Sequence, residues 1–219
     1  MQILLLSDIH GHTEHLPKLK EAIDRADLVC LCGDLTSFQG PAAALRVVDA
    51  VKKPLDHIVA VSGNCDEKNV EESLIKKGVG IHGRVRQVDG VSLLGLGGSL
   101  ITPFGTPNEY REEELASMLE LAMEGASEAA PLVLISHQPP WESCADRLAS
   151  GVHAGSHAVA AFIDTHRPVA CLTGHIHESC GIENRNGTLI VNPGALAQGR
   201  YAMVSITKKG AEAELGTLS

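Results

Sequence analysis

The sequence predicts an α/β protein in which a mixed sheet from the first half faces a more antiparallel sheet from the second half, with helices outside both. Two observations lead to this fold class. Short, continuously apolar runs recur along the chain, which is typical of strands buried on both faces. In the first half these runs alternate with helical segments, whereas the second half carries the turn signals of β-hairpins.

Apolar runs are predicted to form the central strands. They are residues 2–7, 28–32, 58–62, 131–136 and 168–173. Each run leads directly into a motif that contains Asp, Asn or His. Because the carboxyl ends of strands border the binding crevice in open α/β sheets, we expect the motifs that follow these runs to meet in one place.

Helices are predicted between these strands and after them. Pro41 and Glu67 are residues suited to the start of a helix. The predicted helices span residues 14–24, 41–51, 67–77 and 109–123, and a further one runs from Gly155-Ser156 to His166.

Hairpins are predicted where short strands flank a turn signal. Asp-Gly and Asn-Gly pairs favour two-residue turns of type I′. The predicted hairpins are 84–88 with 91–95 around Asp89-Gly90, 182–191 around Asn186-Gly187, and 201–206 with 211–216 around residues 208–210.

A Gly- and Pro-rich loop, residues 97–108, precedes the fourth predicted helix. Loops of this length are often functional. Two interpretations remain open: a rim or lid over a substrate, using Phe104 and Tyr110, or a surface excursion without a ligand role.

The motifs after the five central strands predict a metal site. A mixture of imidazole and oxygen ligands without an obvious thiolate is typical of sites for Mn, Fe or Zn and not of a Cys-rich structural zinc site. Mg is less suited to a site with so many imidazole ligands. Two divalent ions about 3.5–4 Å apart can share a hydroxide and clamp a phosphorus centre. The candidate ligands are Asp8, His10, Asp34, Asn64, His137, His175 and His177.

The chain resembles the calcineurin-like metallophosphoesterase superfamily over residues 3 to about 206. The motifs that carry the resemblance occur in the family's order: Asp8-Ile9-His10, Gly33-Asp34, Gly63-Asn64-Cys65-Asp66, His137 and Gly174-His175-Ile176-His177. The resemblance implies a four-layer α-β-β-α sandwich with two mixed sheets flanked by helices. It also implies that Asp8, His10 and His177 hold one metal, that Asn64, His137 and His175 hold the other, and that Asp34 bridges both.

Cys65 departs from the pattern of many family members, which have a His after the Asn that stabilises or protonates the leaving group. A thiol with a pKa near ~8.5 is a poor replacement for imidazolium. The Gly63-to-Asp66 block instead resembles that of a small prokaryotic subgroup with phosphodiesterase activity on model aryl esters. We therefore expect leaving groups that depart without a strong acid, or another His acting in place of Cys65.

Further candidates lie outside the ligand set. Asp66 is expected to orient Asn64 or a nearby ligand through a hydrogen bond. His12 is a candidate for proton transfer or for supporting a ligand. Ser156 and His157, at the start of the last predicted helix, are candidates to contact an anionic phosphoryl group, while a plain helix cap is the alternative for Ser156.

These residues predict a phosphoric ester hydrolase with two divalent ions, Mn favoured and Fe, Zn, Ni or Mg as alternatives. A hydroxide between the ions would attack a small phosphodiester, with a phosphodiesterase favoured over a phosphomonoesterase. The alternative function is a catalytically weak metal-binding scaffold or interaction protein of the same fold. A protein phosphatase is disfavoured, because Leu35-Thr36-Ser37 follows Asp34 where that branch has an Arg segment.

Composition limits the other classes of function. A chain of 219 residues, 44% hydrophobic, predicts one domain over residues 1–219. A net charge of -9 and 3% aromatic residues disfavour nucleic acid as a partner. The cysteines lack disulfide spacing, Cys30 and Cys32 are expected on one face of a buried strand, and neither a signal peptide nor a membrane span is recognisable. We therefore expect a cytoplasmic protein, and a homo-oligomer remains open.

Overall fold

Thirteen strands and five α-helices form over residues 1–127 and 129–218, the part of the chain that this computed structural model describes. The strands are β1 (Gln2–Leu6), β2 (Leu28–Cys32), β3 (Ile58–Val61), β4 (Arg84–Val88), β5 (Val91–Leu96), β6 (Ser99–Leu100), β7 (Glu109–Tyr110), β8 (Leu132–Ser136), β9 (Ala170–Thr173), β10 (Gly181–Arg185), β11 (Thr188–Asn192), β12 (Arg200–Thr207) and β13 (Gly210–Thr217). The helices are α1 (Lys20–Arg25), α2 (Pro41–Ala50), α3 (Lys68–Lys77), α4 (Glu112–Met123) and α5 (His157–His166).

Two large mixed sheets contain most of these strands. The first has the order β13-β12-β1-β2-β3, and the second has the order β10-β11-β9-β8-β5-β4. All five predicted central strands are confirmed: β1, β2 and β3 are parallel neighbours in the first sheet, and β8 and β9 are parallel neighbours in the second. The small β6-β7 ladder is separate and lies in the loop before α4.

The expected division into a mixed sheet from the first half and a more antiparallel sheet from the second half is wrong. The C-terminal β12-β13 hairpin joins the first sheet, where β12 pairs antiparallel with β1 from Gln2 opposite Ser205 to Leu5 opposite Ala202. In the second sheet β5, β8, β9 and β11 are parallel neighbours, and only its two edge pairs are antiparallel. The Gly-Pro loop and α4 carry the chain from β5 to β8, and α5 carries it from β8 to β9, which gives the crossover that parallel pairing needs.

Packing produces the four-layer α-β-β-α sandwich that the family resemblance implied. On β1, Ile3 and Leu5 lie in the core between the two sheets, whereas Leu4 and Leu6 lie in the core under the first-sheet helices. A third apolar cluster lies between the second sheet and the helices α4 and α5. Both faces of the central strands are therefore covered, which explains their unbroken apolar runs.

Cys30 and Cys32 share the face of β2 that lies between the sheets, as predicted. All six cysteines fall within the described ranges and are free thiols. In the described part of the chain no helix combines the length and apolar character needed to span a bilayer.

Turn chemistry confirms two predicted hairpins. Asp89 and Gly90 have φ of 47° and 78°, and Asn186 and Gly187 have φ of 52° and 95°, as a type I′ turn requires. The first predicted helix differs, because residues Thr13–Leu19 form a 3₁₀ segment that contains Pro17 before α1 begins.

Candidate metal centre

Loops at the carboxyl ends of β1, β2, β3, β8 and β9 bring the predicted ligands together. Five of the seven fall into three overlapping groups whose candidate ligand atoms lie within 4.8 Å of one another. The other two adjoin these groups: the Asn64 amide oxygen is 3.1 Å from His137 Nε2, and the His175 ring centroid is 5.2 Å from that of His137. The convergence expected from the strand order is therefore present.

Backbone geometry turns these side chains inward at the strand ends. Asp8, His10, Asp34 and His175 have φ of 54°, 50°, 46° and 69°, in the left-handed region that residues other than glycine seldom adopt. Such conformations cost free energy and cluster at functional sites, where the surrounding structure holds them in place.

Glycines beside the ligands permit close contacts. A Cβ at Gly33 would lie 2.2 Å from Nδ1 of His137, and a Cβ at Gly174 would lie 1.8 Å from Oγ of Ser7 and 2.8 Å from Oδ2 of Asp8. Gly33 also has φ of 88°. Their role is geometric, because only a residue without a side chain lets the loops approach so closely.

The first ligand group contains Asp8, His10 and His177. Asp8 Oδ1 is 3.1 Å from His177 Nε2, which is 3.4 Å from His10 Nε2. The His10 ring is oriented from behind by Ser37, whose Oγ is 3.2 Å from Nδ1. Burial disfavours the charged form of Asp8, but the close contact with His177 and the nearby His137 outweigh it and lower the pKa of this carboxyl well below its usual range.

The second ligand group contains Asn64, His137 and His175. His137 Nδ1 is 2.8 Å from the Cys32 carbonyl oxygen, which can only accept, so Nδ1 carries the proton and Nε2 of the neutral ring has a free lone pair. Burial and the neighbouring His137 lower the pKa of His175 to about 4, which keeps its ring in the neutral form that binds metals.

Asp34 lies between the two groups. Its Oδ2 is 3.7 Å from His10 Nε2 in the first group, and its Oδ1 is 3.5 Å from His137 Nε2 in the second. The Cys65 backbone N–H donates to Oδ1 at 2.8 Å. One carboxylate therefore offers a separate oxygen to each group, which is the arrangement of a bridging ligand.

The spacing of the candidate ligand atoms is compatible with cations bound between these side chains. Two acceptors, the Asn64 amide oxygen and His137 Nε2, face each other at 3.1 Å with no proton to share in the neutral ring. Metal bonds of about 2.1 Å put neighbouring ligand atoms about 3 Å apart. The buried Asp8 Oδ1 also makes no hydrogen bond of good geometry among the described residues, although His177 Nε2 lies 3.1 Å from it. Both observations are what a bound cation would account for.

Cys65 lies at the edge of the centre. Its Sγ belongs to a group with His10 and Asp34 whose candidate ligand atoms lie within 4.8 Å of one another. Burial and the Asp34 carboxylate raise the pKa of the Cys65 thiol well above its usual range. The thiol is therefore protonated near neutral pH and is a much weaker acid than imidazolium.

Asp66 forms hydrogen bonds with backbone N–H groups and not with the Asn64 side chain. Its fully buried carboxylate accepts hydrogen bonds from the backbone N–H groups of Leu35, Thr36 and Gly63 at 3.1, 2.8 and 2.9 Å, and from the Thr36 hydroxyl. These contacts join the loops that carry Asp34 and Asn64. The contact expected between Asp66 and the Asn64 side chain is replaced by these hydrogen bonds to the two loops.

His12 lies away from the candidate ligand groups of the described residues. Its Nδ1 contacts Glu14 Oε1 at 2.8 Å, and about half of its side chain is exposed. No contact supports the expected role in proton transfer or in supporting a ligand.

The α5 N-terminus already has an anion, which corrects the expectation for Ser156 and His157. The Glu112 carboxylate accepts from Ser156 Oγ at 2.6 Å and from the N–H groups of His157 and Ala158 at 2.9 and 3.0 Å. Ser156 Oγ also accepts from Val159 N–H, as a helix cap. The His157 ring lies against Trp141 with the ring centroids 4.5 Å apart. The Ser156 hydroxyl and the first backbone N–H groups of this helix therefore already have acceptors.

The loop of residues 97–108 forms one wall of a cleft of about 460 Å³ that opens beside Asn64, His175 and His177. Phe104 lines the cleft, as the rim interpretation expected. Tyr110 does not, because its ring stacks on His82 with the centroids 5.8 Å apart. The short strand β7 also delays the predicted helix, so α4 begins at Glu112 instead of residue 109.

Three residues that contact or support the candidate ligands were not evident from the sequence. Ser37 contacts His10, and Thr106 Oγ1 accepts a hydrogen bond from Asn64 Nδ2 at 3.1 Å. Glu109 Oε1 in turn accepts from the Thr106 hydroxyl at 2.6 Å and from its N–H at 2.9 Å. The Thr-x-x-Glu spacing of Thr106 and Glu109 is a capping signature that could have revealed their mutual contact, although not the link to Asn64.

Fold and ligand set together define a phosphoric ester hydrolase of the metallophosphoesterase class. The chain belongs to the calcineurin-like phosphoesterase superfamily, whose domain model matches residues 1–209. A curated relative, an uncharacterized protein of Methanocaldococcus jannaschii, is 34% identical in an alignment of 199 residues, and the match covers 88% of this chain and 88% of the relative.

Solved structures share the fold. The crystal structure of TT1561 of Thermus thermophilus superimposes with a TM-score of 0.75 at 22% identity, covering 99% of this chain and 98% of that one. A structure described as a novel archaeal phosphodiesterase has a TM-score of 0.51 at 17% identity and covers 98% of this chain and 99% of its own. At these identities the likeness concerns the fold alone.

Proposed function

We propose that this chain is a dinuclear metal-dependent phosphoesterase that hydrolyses a small phosphodiester. The observation that carries the proposal is the pair of ligand groups on either side of Asp34, whose two carboxylate oxygens lie 3.7 Å from His10 Nε2 in one group and 3.5 Å from His137 Nε2 in the other. Asp8, His10 and His177 would hold one ion, and Asn64, His137 and His175 the other. When bound, two such ions polarise a phosphoryl oxygen and supply hydroxide at neutral pH.

The chain's own residues prepare this centre. The Cys32 carbonyl fixes which nitrogen of His137 is free, and Thr106 fixes the Asn64 amide so that its oxygen faces His137. Such outer contacts maintain the orientation of metal ligands. The mixture of imidazole and carboxylate donors favours Mn, with Fe, Zn, Ni and Mg as alternatives.

The preference for a diester rests on the block from Gly63 to Asp66, with its resemblance to prokaryotic phosphodiesterases, and on Cys65. A neutral, weakly acidic thiol gives little help to a leaving oxygen that needs a proton. Esters whose leaving oxygen is stable as an anion are then the better substrates. A single domain, a cytoplasmic location and a small substrate remain predictions.

Turnover assays of the purified chain with added Mn, Ni or Mg test the proposal. The panel contains bis(p-nitrophenyl) phosphate, p-nitrophenyl phosphate and cyclic nucleotides. We expect metal-dependent turnover of the diester and its loss by more than about 100-fold in Asp34→Ala and Asn64→Ala, since loss of outer partners alone costs about 10–100-fold.

Asp56→Ala and Asn69→Ala are matched controls, because both residues are exposed and lie outside the centre. They should retain full activity. Diester turnover that persists in metal-stripped protein, or in Asp34→Ala, would contradict the proposal.

A further inference from the structure

The cleft beside the metal centre has an apolar wall. Its lining from the loop of residues 97–108 consists of Leu100, Ile101, Thr102, Pro103 and Phe104. Leu148, Ala154 and Ile176 complete the apolar part of the lining, and Asn64, His175 and His177 form the polar end. A volume of about 460 Å³ is in the range of pockets that take small organic ligands.

Resting on the proposed function, we propose that this cleft binds an apolar ester group of the substrate and selects diesters that carry such a group over those that carry a second negative charge. The candidate ligands at one end place the phosphoryl group, so the apolar wall lies where an ester substituent would extend. Ile101 and Phe104 are then the specificity-determining residues.

Two large apolar side chains of this wall are exposed to solvent. Ile101 is 65% exposed and Phe104 is 85% exposed. Exposed apolar side chains grouped at the mouth of a cleft are typical of a binding surface, because burial by a ligand removes their contact with water.

The wall is fixed in place by polar contacts behind it. Glu109 Oε1 accepts hydrogen bonds from the Thr102 hydroxyl at 2.7 Å and from Thr106, which also accepts from Asn64. The Gln138 side chain accepts from the Leu100 N–H at 2.9 Å and donates to the Ala154 carbonyl at 2.9 Å, which ties the wall to the opposite side of the cleft. An ordered wall retains more of the free energy of burial on binding than a mobile loop would.

Charge in the cleft disfavours a second anion. Among the described lining residues the only formal charge other than that of a histidine is Glu178, whose carboxylate accepts from the Ala149 N–H at 3.2 Å, and neither Lys nor Arg contributes. A substituent that bears a phosphate or carboxylate would meet Glu178 without a cationic side chain to balance it.

Matched esters test this inference. The substrates share a p-nitrophenyl leaving group and differ in the second ester group: methyl, phenyl or carboxymethyl. Binding of methylphosphonate and phenylphosphonate to the Mn-loaded protein, measured by calorimetry, gives a readout that needs no turnover. We expect phenyl to be favoured over methyl by about tenfold or more in both measurements, from burial of one ring.

Variants separate the wall from the metal centre. Ile101→Ser and Phe104→Ser should each reduce the ratio of phenyl-ester to methyl-ester kcat/KM at least threefold. Glu178→Gln should raise kcat/KM for the carboxymethyl ester relative to the methyl ester. Leu121→Ser, on α4 and 67% exposed, is the matched control and should change neither ratio.

The two proposals fail in different ways. Diester turnover with equal kcat/KM for the phenyl and methyl esters would overturn the inference but not the proposed function. A phenyl preference that persists in both wall variants would do the same. Phenylphosphonate binding that depends on Ile101 and Phe104, without turnover of any ester, supports the apolar cleft and overturns the proposed function.

Discussion

Asn64 shows how a single residue of this centre is fixed. Its amide oxygen faces His137, its amide nitrogen donates to Thr106, and its backbone carbonyl accepts from Asn108 N–H at 3.2 Å. The sequence predicts Asn64 as a ligand because the residue follows an apolar run within a short local motif. It does not reveal Thr106, which lies 42 positions further along the chain.

At the residue scale, Cys65→His should change how rate depends on the leaving group. An imidazolium beside Asp34 can protonate a departing oxygen, which the neutral thiol does poorly. We expect the variant to gain more on alkyl esters than on aryl esters by about tenfold or more, since general acids contribute about 10²–10⁴-fold. Rates with paired alkyl and aryl diesters measure this change.

Cys65→Ser is the control, because a hydroxyl is also a weak acid. It should leave the ratio of alkyl to aryl rates close to that of the parent chain. Unchanged relative rates in Cys65→His would mean that position 65 does not assist the leaving group.

At the scale of elements, the start of α5 illustrates a contact that local patterns do not contain. Ser156 is recognisable as a cap residue, but the carboxylate that completes the cap comes from Glu112, 44 positions earlier on α4. The helix N-terminus predicted as a phosphoryl site is consequently used to join two helices. Similar long-range pairing placed β12 beside β1, which turn signals could not indicate.

Removal of this contact should destabilise the fold without changing substrate binding. Glu112→Ala leaves the Ser156 hydroxyl and two backbone N–H groups without their acceptor, and we expect a loss of about 1–3 kcal/mol in the free energy of unfolding. Denaturant titration measures the loss, with exposed Glu113→Ala as the control. A raised KM for the diester in His157→Ala would show instead that this end of α5 contacts substrate.

At the scale of the whole molecule, the partly buried His82 links stability to pH. Burial lowers the pKa of His82, an effect that Glu71 opposes and Arg84 reinforces, and Gly97 N–H donates to His82 Nδ1 at 2.8 Å. The unfolded chain therefore takes up a proton near pH 6.5, whereas the folded chain takes it up only at lower pH. The contribution of His82 to stability is thus present above pH 6.5 and is lost as the pH falls toward its folded pKa.

Unfolding titrations at pH 7.5 and pH 5 measure this effect. His82→Asn keeps an acceptor for the Gly97 N–H but does not titrate, so its free energy of unfolding should fall less between the two pH values than that of the parent chain. His57→Asn, at a half-exposed position, serves as the control. Equal pH dependence in the parent chain and His82→Asn would rule out His82 as a source of acid sensitivity.

The strands and hairpins of this fold were predictable because their signals lie in neighbouring residues. The pairing of distant strands was predictable only in part. Apolar runs and Asp-Gly or Asn-Gly turns indicate strands and hairpins because each depends on neighbouring residues. The sheet that a hairpin joins depends on contacts such as Val204 with Ile3, about 200 positions apart. The convergence of the candidate ligands was predictable because each of them follows a central strand.

The number of metal ions bound per chain tests the central claim most directly. Elemental analysis after Mn loading and dialysis should give two ions per chain, and one ion in Asp8→Asn and in His137→Asn, which affect different ligand groups. A control variant, Asp56→Asn, should retain both ions. One ion or none in the parent chain, or the loss of neither ion in the two ligand variants, would contradict a dinuclear centre at these residues.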